Sequence, residues 1–216
     1  LSAWAAKKEE RQKRILSAAV TLFDRLGYGS TTMSEIAAVA GCGVATVYNY
    51  YTTKEGIAAE LLFKDLNAIL QAGKAVVNDP ALPSDPGQAV MALLSVYRDL
   101  GGHDWARRDL LRITIFPNLG NSGILTEFIN RSEDLVQKQI LELLQRLRAS
   151  GCIVVGIDLD DVTAIIFDIF NQSFGRYLTH DDLKFEEMFV QLSRRIRLLF
   201  DNWQPAAANP RGQANG

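Results

Sequence analysis

Twenty residues at 32–51, TMSEIAAVAGCGVATVYNYY, constrain the fold more than anything else in the chain. They read as two short helices broken at a glycine, and a helix-turn-helix makes specific steric demands on such a segment. The first helix needs a small residue where the second crosses it, a glycine must open the turn, and an aliphatic residue must pin the second helix from inside. Ala37, Gly41 and Val47 stand at those places, 5, 9 and 15 residues beyond Thr32, and Ile36 and Ala40 complete the inner face. Thr32, with Glu35 three residues on, predicts a capping box at the start of the first of the two helices. Once Val47 is the pin, Val44, Ala45, Thr46, Tyr48, Asn49 and Tyr50 turn outward or sideways, so three tyrosines in so short a stretch need not be core.

Almost everything between residues 9 and 203 repeats at helical period. Ile15, Ala19, Leu22, Phe23 and Leu26 form one stripe that Gly27 ends, predicting a helix of about four turns. After TTK, a long helix runs from about 54 to 77. NDPALPSDPG then carries three prolines, which lack the N–H and restrict the preceding residue, so helix cannot pass through. Four helices are predicted beyond it, at about 86–101, 103–116, 123–149 and 159–178, and a last one near 183–203. Only CIVVGI at 152–157 hints at a strand, and it is short enough to be a buried loop. The expected fold is all-α, with about nine helices: a three-helix helix-turn-helix domain at 1–56, a larger helical bundle at 57–203, and a disordered tail at 204–216. At 48 % apolar and 22 % charged, with no apolar run near the ~20 residues a bilayer span needs, the chain reads as soluble with no membrane partner. The charged start LSAWAAKKEERQKR does not suit a signal peptide, and Cys42 and Cys152 form no close pair, so a cytoplasmic location is expected.

The stretch RILSAAVTLFDRLGYGSTTMSEIAAVAGCGVATVYNYYTTKEGI resembles the N-terminal domain of the tetracycline-repressor (TetR) family of bacterial transcription regulators, over roughly residues 11–62. The resemblance implies that Thr32, Ser34, Tyr48 and Lys54 meet backbone phosphate of double-stranded DNA, while Val44, Ala45, Thr46, Asn49 and Tyr50 face the major groove. Asn49 has the strongest readout chemistry, since an amide pairs bidentately with adenine. Val44 and Ala45 replace the polar side chains often found there, which leaves thymine-methyl contacts. Tyr51 is expected to pack its ring beneath the domain with its hydroxyl reaching solvent. Residues 1–57 carry a net +2 and the remainder −4. Lys7, Lys8, Arg11, Lys13 and Arg14 are read either as an arm touching the minor groove or as a solvated helix face.

Few contacts per half-site call for two-fold pairing on a palindromic operator. Apolar residues all round 159–178 suggest a helix buried on two sides, which with 183–203 would form the homodimer interface through Ile166, Phe170, Tyr177, Phe189, Leu192, Ile196 and Leu199. The aromatic-rich middle helices suggest a pocket for a small apolar or amphipathic effector, lined by Tyr97, Trp105, Ile113, Phe116, Phe128, Phe167, Asn171 and Phe174. For any one of these residues an ordinary helical core is the competing reading. His103-Asp104 and His180-Asp181 read as turns with capping aspartates rather than metal ligands, and Asp158, Asp160 and Asp161 as caps of the 159–178 helix. No nucleophile setting and no phosphate-binding glycine loop occurs, so neither an enzyme nor a cofactor is expected. The function expected is a ligand-responsive homodimeric repressor. The alternative is a regulator without a small-molecule effector, controlled by a protein partner or acting as an activator.

Overall fold

The computed structural model describes residues 3–97, 108–112, 123–154 and 156–201. The fold is all-α: α1 Ala3–Leu26, α2 Met33–Ala40, α3 Val44–Tyr50, α4 Lys54–Asn78, α5 Pro86–Ser95, α6 Gly123–Ala149, α7 Leu159–Thr179 and α8 Phe185–Phe200. Residues 108–112 are helical as well, making nine helical stretches, with no strand among the described residues. In the segment 152–157, residues 152–153 are bend and 156 is turn, with Ile153 buried.

The chain divides into two compact units. Unit 1 comprises Leu1–Leu66 with Gly101–Asn130, and unit 2 comprises Asn67–Leu100 with Arg131–Gly216, so α4 and α6 each contribute to both. In unit 1, α2 packs on α1 and on α3. Its core gathers Ile15, Ala19, Leu22 and Phe23 of α1 with Ile36 and Ala37 of α2, Val47 of α3 and Ile57 of α4. Gly27 ends α1 at φ +79°, a conformation that costs a side-chain-bearing residue about 1–2 kcal/mol. α1 begins well before the periodic stripe, at Ala3. Its first turns are rich in Ala, Lys, Glu, Gln and Arg, all strong helix formers, and the Glu9–Lys13 pair at 2.8 Å adds an i,i+4 contact. The basic segment is therefore helix, with Lys7, Lys8, Arg11, Lys13 and Arg14 exposed.

In unit 2, α8 packs on α5 and α7. Pro86 opens α5 behind the N-cap Asp85, whose carboxylate accepts from the Gln88 N–H at 2.7 Å. Asp158 caps α7 and accepts from the Asp160 and Asp161 N–H groups. Asp181 does not cap the last helix. α8 starts two residues later than the periodicity suggested, after Lys184, because a turn closed by Leu183 N–H on the His180 carbonyl occupies 180–183. The buried stripe of α8 is Phe185, Met188, Leu192, Ile196 and Phe200. Phe189 and Leu199, the other members of the expected series, are half-buried.

Candidate nucleic-acid interface

The helix-turn-helix is built as its spacing demands. Thr32 caps α2, accepting from the Glu35 N–H at 3.2 Å, while the Glu35 carboxylate accepts from both the N–H and the hydroxyl of Thr32 at 2.8 Å. Gly41 takes the left-handed conformation at φ +66°, and Cys42 N–H closes on the Ala37 carbonyl. α3 then starts at Gly43, and Val47 is its one buried residue.

With Val47 inward, Val44 (38 % exposed), Ala45, Tyr48 (52 % exposed) and Asn49 form one open stripe along α3. Ser34 is exposed in the first turn of α2, and Thr32 is exposed with its hydroxyl engaged in the capping box. Thr46 and Tyr50 are half-buried on the flanks. Tyr50 turns toward α1, where its hydroxyl donates to the Lys8 carbonyl at 3.2 Å. Tyr51 is buried, and its hydroxyl does not run to solvent. It accepts from Gln12 Nε2 at 3.3 Å, the same nitrogen that donates to Glu60 at 2.8 Å, and burial beside Glu60 pushes the phenol pKa up.

Lys54 has an unanticipated setting. Its ammonium donates to the carbonyls of Tyr28 at 2.6 Å, Thr31 at 2.8 Å and Gly29 at 3.3 Å, and lies 4.3 Å from the centre of the Tyr28 ring. Burial holds its pKa below the ordinary lysine value, with Glu55 and Glu35 pulling the other way. The lysine thus braces the loop that leads into the α2 cap. No periodicity in the sequence signals this, because the partners are main-chain carbonyls.

Glu35 supplies a pH test of the cap. Its carboxyl is held below the ordinary glutamate value, first by the Thr32 side chain and then by the Thr32 N–H. A carboxylate whose pKa is depressed by folding stabilises above its unfolded value, and that stabilisation is lost as pH falls through the folded one. The melting temperature of Glu35→Gln is therefore expected below wild type at neutral pH, with the gap closing on acidification. A gap that widens in acid would contradict the capping geometry.

The expected effector residues are brought together only in part. Tyr97, Phe167 and Phe174 are buried in unit 2 and Asn171 is half-buried there, while Phe128 packs edge-on against Phe63 at 4.9 Å in unit 1. Trp105, Ile113 and Phe116 lie outside the described residues. The residues expected at a dimer interface share one aromatic row with the effector set: Tyr97, Phe170, Phe174, Tyr177, Phe185 and Phe189 follow at ring separations of 5.5–6.0 Å. Ile166, Leu192 and Ile196 are completely covered by their own chain, and Phe170 and Tyr177 are buried; Phe189 and Leu199 keep partial exposure. The exposed apolar side chains of these helices are Ile165 on α7 and Val190 (70 %) and Leu198 (62 %) on α8. Val190 and Leu198 line a groove of about 510 Å³ with Met91, Arg194 and Arg197.

A pinned helix presenting an open stripe beside a capped helix N-terminus is the geometry of a helix-turn-helix, a motif that docks in DNA. Residues 15–61 match the family described as bacterial regulatory proteins, tetR family. The chain is 27 % identical over 148 residues, 67 % of its own length and 72 % of the relative's, to the uncharacterized HTH-type transcriptional regulator YhgD of Bacillus subtilis (strain 168). Its fold is similar to that of the transcriptional regulator FadR from Bacillus subtilis in complex with stearoyl-CoA. There the TM-score is 0.66 and the identity 21 %, with 87 % of this chain and 96 % of that one covered. It is also similar to Thermus thermophilus FadR, a TetR-family repressor in complex with lauroyl-CoA. That match has a TM-score of 0.64 and 21 % identity, covering 88 % and 93 % of the two chains. The matched residues, 15–61, take in the helix-turn-helix and the start of α4, so the likeness to the tetR family is carried by that segment. Among the described residues no helix is long and apolar enough to cross a membrane.

Proposed function

We propose that this protein is a homodimeric, ligand-responsive repressor acting in the cytoplasm. Two copies place their α3 helices in major-groove turns of a palindromic operator, about 34–36 Å apart. A small apolar or amphipathic molecule bound by the helical region 57–203 changes that spacing and releases the DNA, with 1–56 serving as the DNA-binding domain and 204–216 as a tail. The α3 stripe carries the reading: Asn49 pairs with a base edge, Val44 and Ala45 meet thymine methyls, and Tyr48 and Ser34 donate to phosphate on either side. Thr46 and Tyr50 flank that stripe, the latter tied to α1. Thr32 and Lys54 shape the α2 end that meets phosphate, the first by capping and the second by bracing the loop before it.

The fold likeness to regulators solved with acyl-CoA molecules supports an apolar effector. Tyr97, Phe167, Asn171 and Phe174 are the unit 2 residues assigned to it. Exposed Ile165, Val190 and Leu198 support a pairing surface on α7 and α8 next to the half-buried Phe189 and Leu199.

The test is selection from a pool of random-sequence duplexes followed by mobility shift at several salt concentrations. A palindromic preference is expected, with log affinity falling linearly in log salt by about 0.9 per phosphate neutralised. Asn49→Ala should then cost about 1–3 kcal/mol of discrimination at one base pair per half-site. Enrichment of no sequence over random DNA at moderate salt would sink the reading.

A further inference from the structure

Gln139 interrupts the apolar face of α6 between Val136 and Ile140, and it is buried. Its amide is used at both ends. The carbonyl oxygen accepts the Tyr97 hydroxyl at 2.7 Å, and the nitrogen donates to the Leu70 carbonyl in the middle of α4 at 2.7 Å. α4 carries a glycine where the amide passes: a Cβ on Gly73 would lie 2.4 Å from Gln139 Oε1. One heptad further along both helices, Arg146 donates to the carbonyls of Val77 and Asp79. All of these groups belong to unit 2, while the first half of α4 belongs to unit 1 with the helix-turn-helix.

A buried amide adds little net stability over an apolar side chain of the same shape, but it is costly to leave unpaired. Sliding α4 by one residue against α6 would strip the Leu70 carbonyl from Gln139 and set Gly73 off the amide. The amide therefore selects one register of α4. Whatever engages the Tyr97 hydroxyl changes the partner of Gln139 Oε1, and so the hold on Leu70.

We propose that Tyr97, Gln139 and the Leu70 carbonyl form the coupling element of this regulator, with Gln139 a positioning residue that fixes the register of α4 and passes to it the state of the Tyr97 hydroxyl. The proposal rests on the regulator reading above. Gly73 is part of the device, since it makes room for the amide.

Three single variants of the full chain and one double test it: Gln139→Met, which keeps the volume and removes both bonds, Gly73→Ala, which displaces the amide while raising helix propensity, Tyr97→Phe, which removes one bond, and Gln139→Met combined with Gly73→Ala. Each is assayed by mobility shift on the selected duplex, by hydrogen exchange across 67–78, and by thermal melting. A loosened α4 has to be re-ordered when both half-sites are engaged, so Gln139→Met and Gly73→Ala, assayed as folded proteins well below the lowered melting temperature that an unpaired Tyr97 hydroxyl brings, are each expected to bind the duplex about tenfold more weakly. Exchange across 67–78 should rise, Tyr97→Phe should lie between them and wild type, and the double variant should be no weaker than either single. A purely structural role would lower the melting temperature and leave the affinity of the folded protein unchanged. Folded Gln139→Met and Gly73→Ala proteins with wild-type affinity and wild-type exchange in 67–78 would overturn the proposal, as would additive losses in the double variant. Should the wild type bind no DNA, the regulator reading fails by itself, and exchange across 67–78 still decides whether the amide holds α4.

Discussion

Val47→Asp is expected to unfold the helix-turn-helix and abolish DNA binding, whereas the same change three residues earlier, Val44→Asp, leaves the fold intact. Val47 is fully buried, so an aspartate there is a buried charge in place of an apolar side chain, costing about 3–5 kcal/mol where nothing pairs with it. That is a large share of the roughly 5–15 kcal/mol that holds a domain together. Val44 is already 38 % exposed, so its aspartate variant should melt within about 0.5 kcal/mol of wild type. On the proposed groove-facing role, however, its carboxylate would enter the negative potential of the major groove, and binding should fall by about tenfold or more, most steeply at low salt. Circular dichroism melts and mobility shifts separate the two. A Val44→Asp protein that binds like wild type would remove the α3 stripe from the DNA interface.

Lys54→Met should destabilise unit 1 by roughly 2 kcal/mol, because methionine keeps the stem and removes a charged donor shared by three carbonyls. The individual bonds are worth more in isolation, but half-exposed carbonyls recover water when the ammonium goes. DNA affinity should fall with the loosened α2 cap while the salt slope stays the same. A slope flattened by about 0.9 with unchanged melting would instead make Lys54 a direct phosphate ligand. Denaturant titration together with a salt series on the selected duplex checks both quantities.

The helix-turn-helix was legible because its steric demands fall on residue types: glycine at the turn, alanine at the crossing, valine as the pin, threonine with glutamate at the cap. Those demands are local, and Gly41, Ala37, Val47 and Thr32 stand in the structure as the spacing requires. Period also located the long helices, since an apolar stripe is needed whatever covers it. It could not say what covers it. Ile166, Leu192 and Ile196 read equally well as a surface for a second chain and as core, and in the structure their own chain encloses them. Contacts to main-chain carbonyls leave no mark in sequence at all, which is why Lys54 on the 28–31 loop and Tyr50 on Lys8 had to be seen. Gln139 left a faint one, a polar residue within an apolar face, matched by an interior glycine in α4 where alanine would favour helix by about 1 kcal/mol.

The economy of α3 has an evolutionary side. One inward residue anchors the helix, so on the proposed DNA-reading role foldability and sequence preference rest on different side chains. Val44, Ala45 and Asn49 can be exchanged with little demand on the core, and a new operator preference is reachable through single steps that each leave a folded protein. Retargeting this regulator by design should therefore start from those three positions and leave Val47 alone.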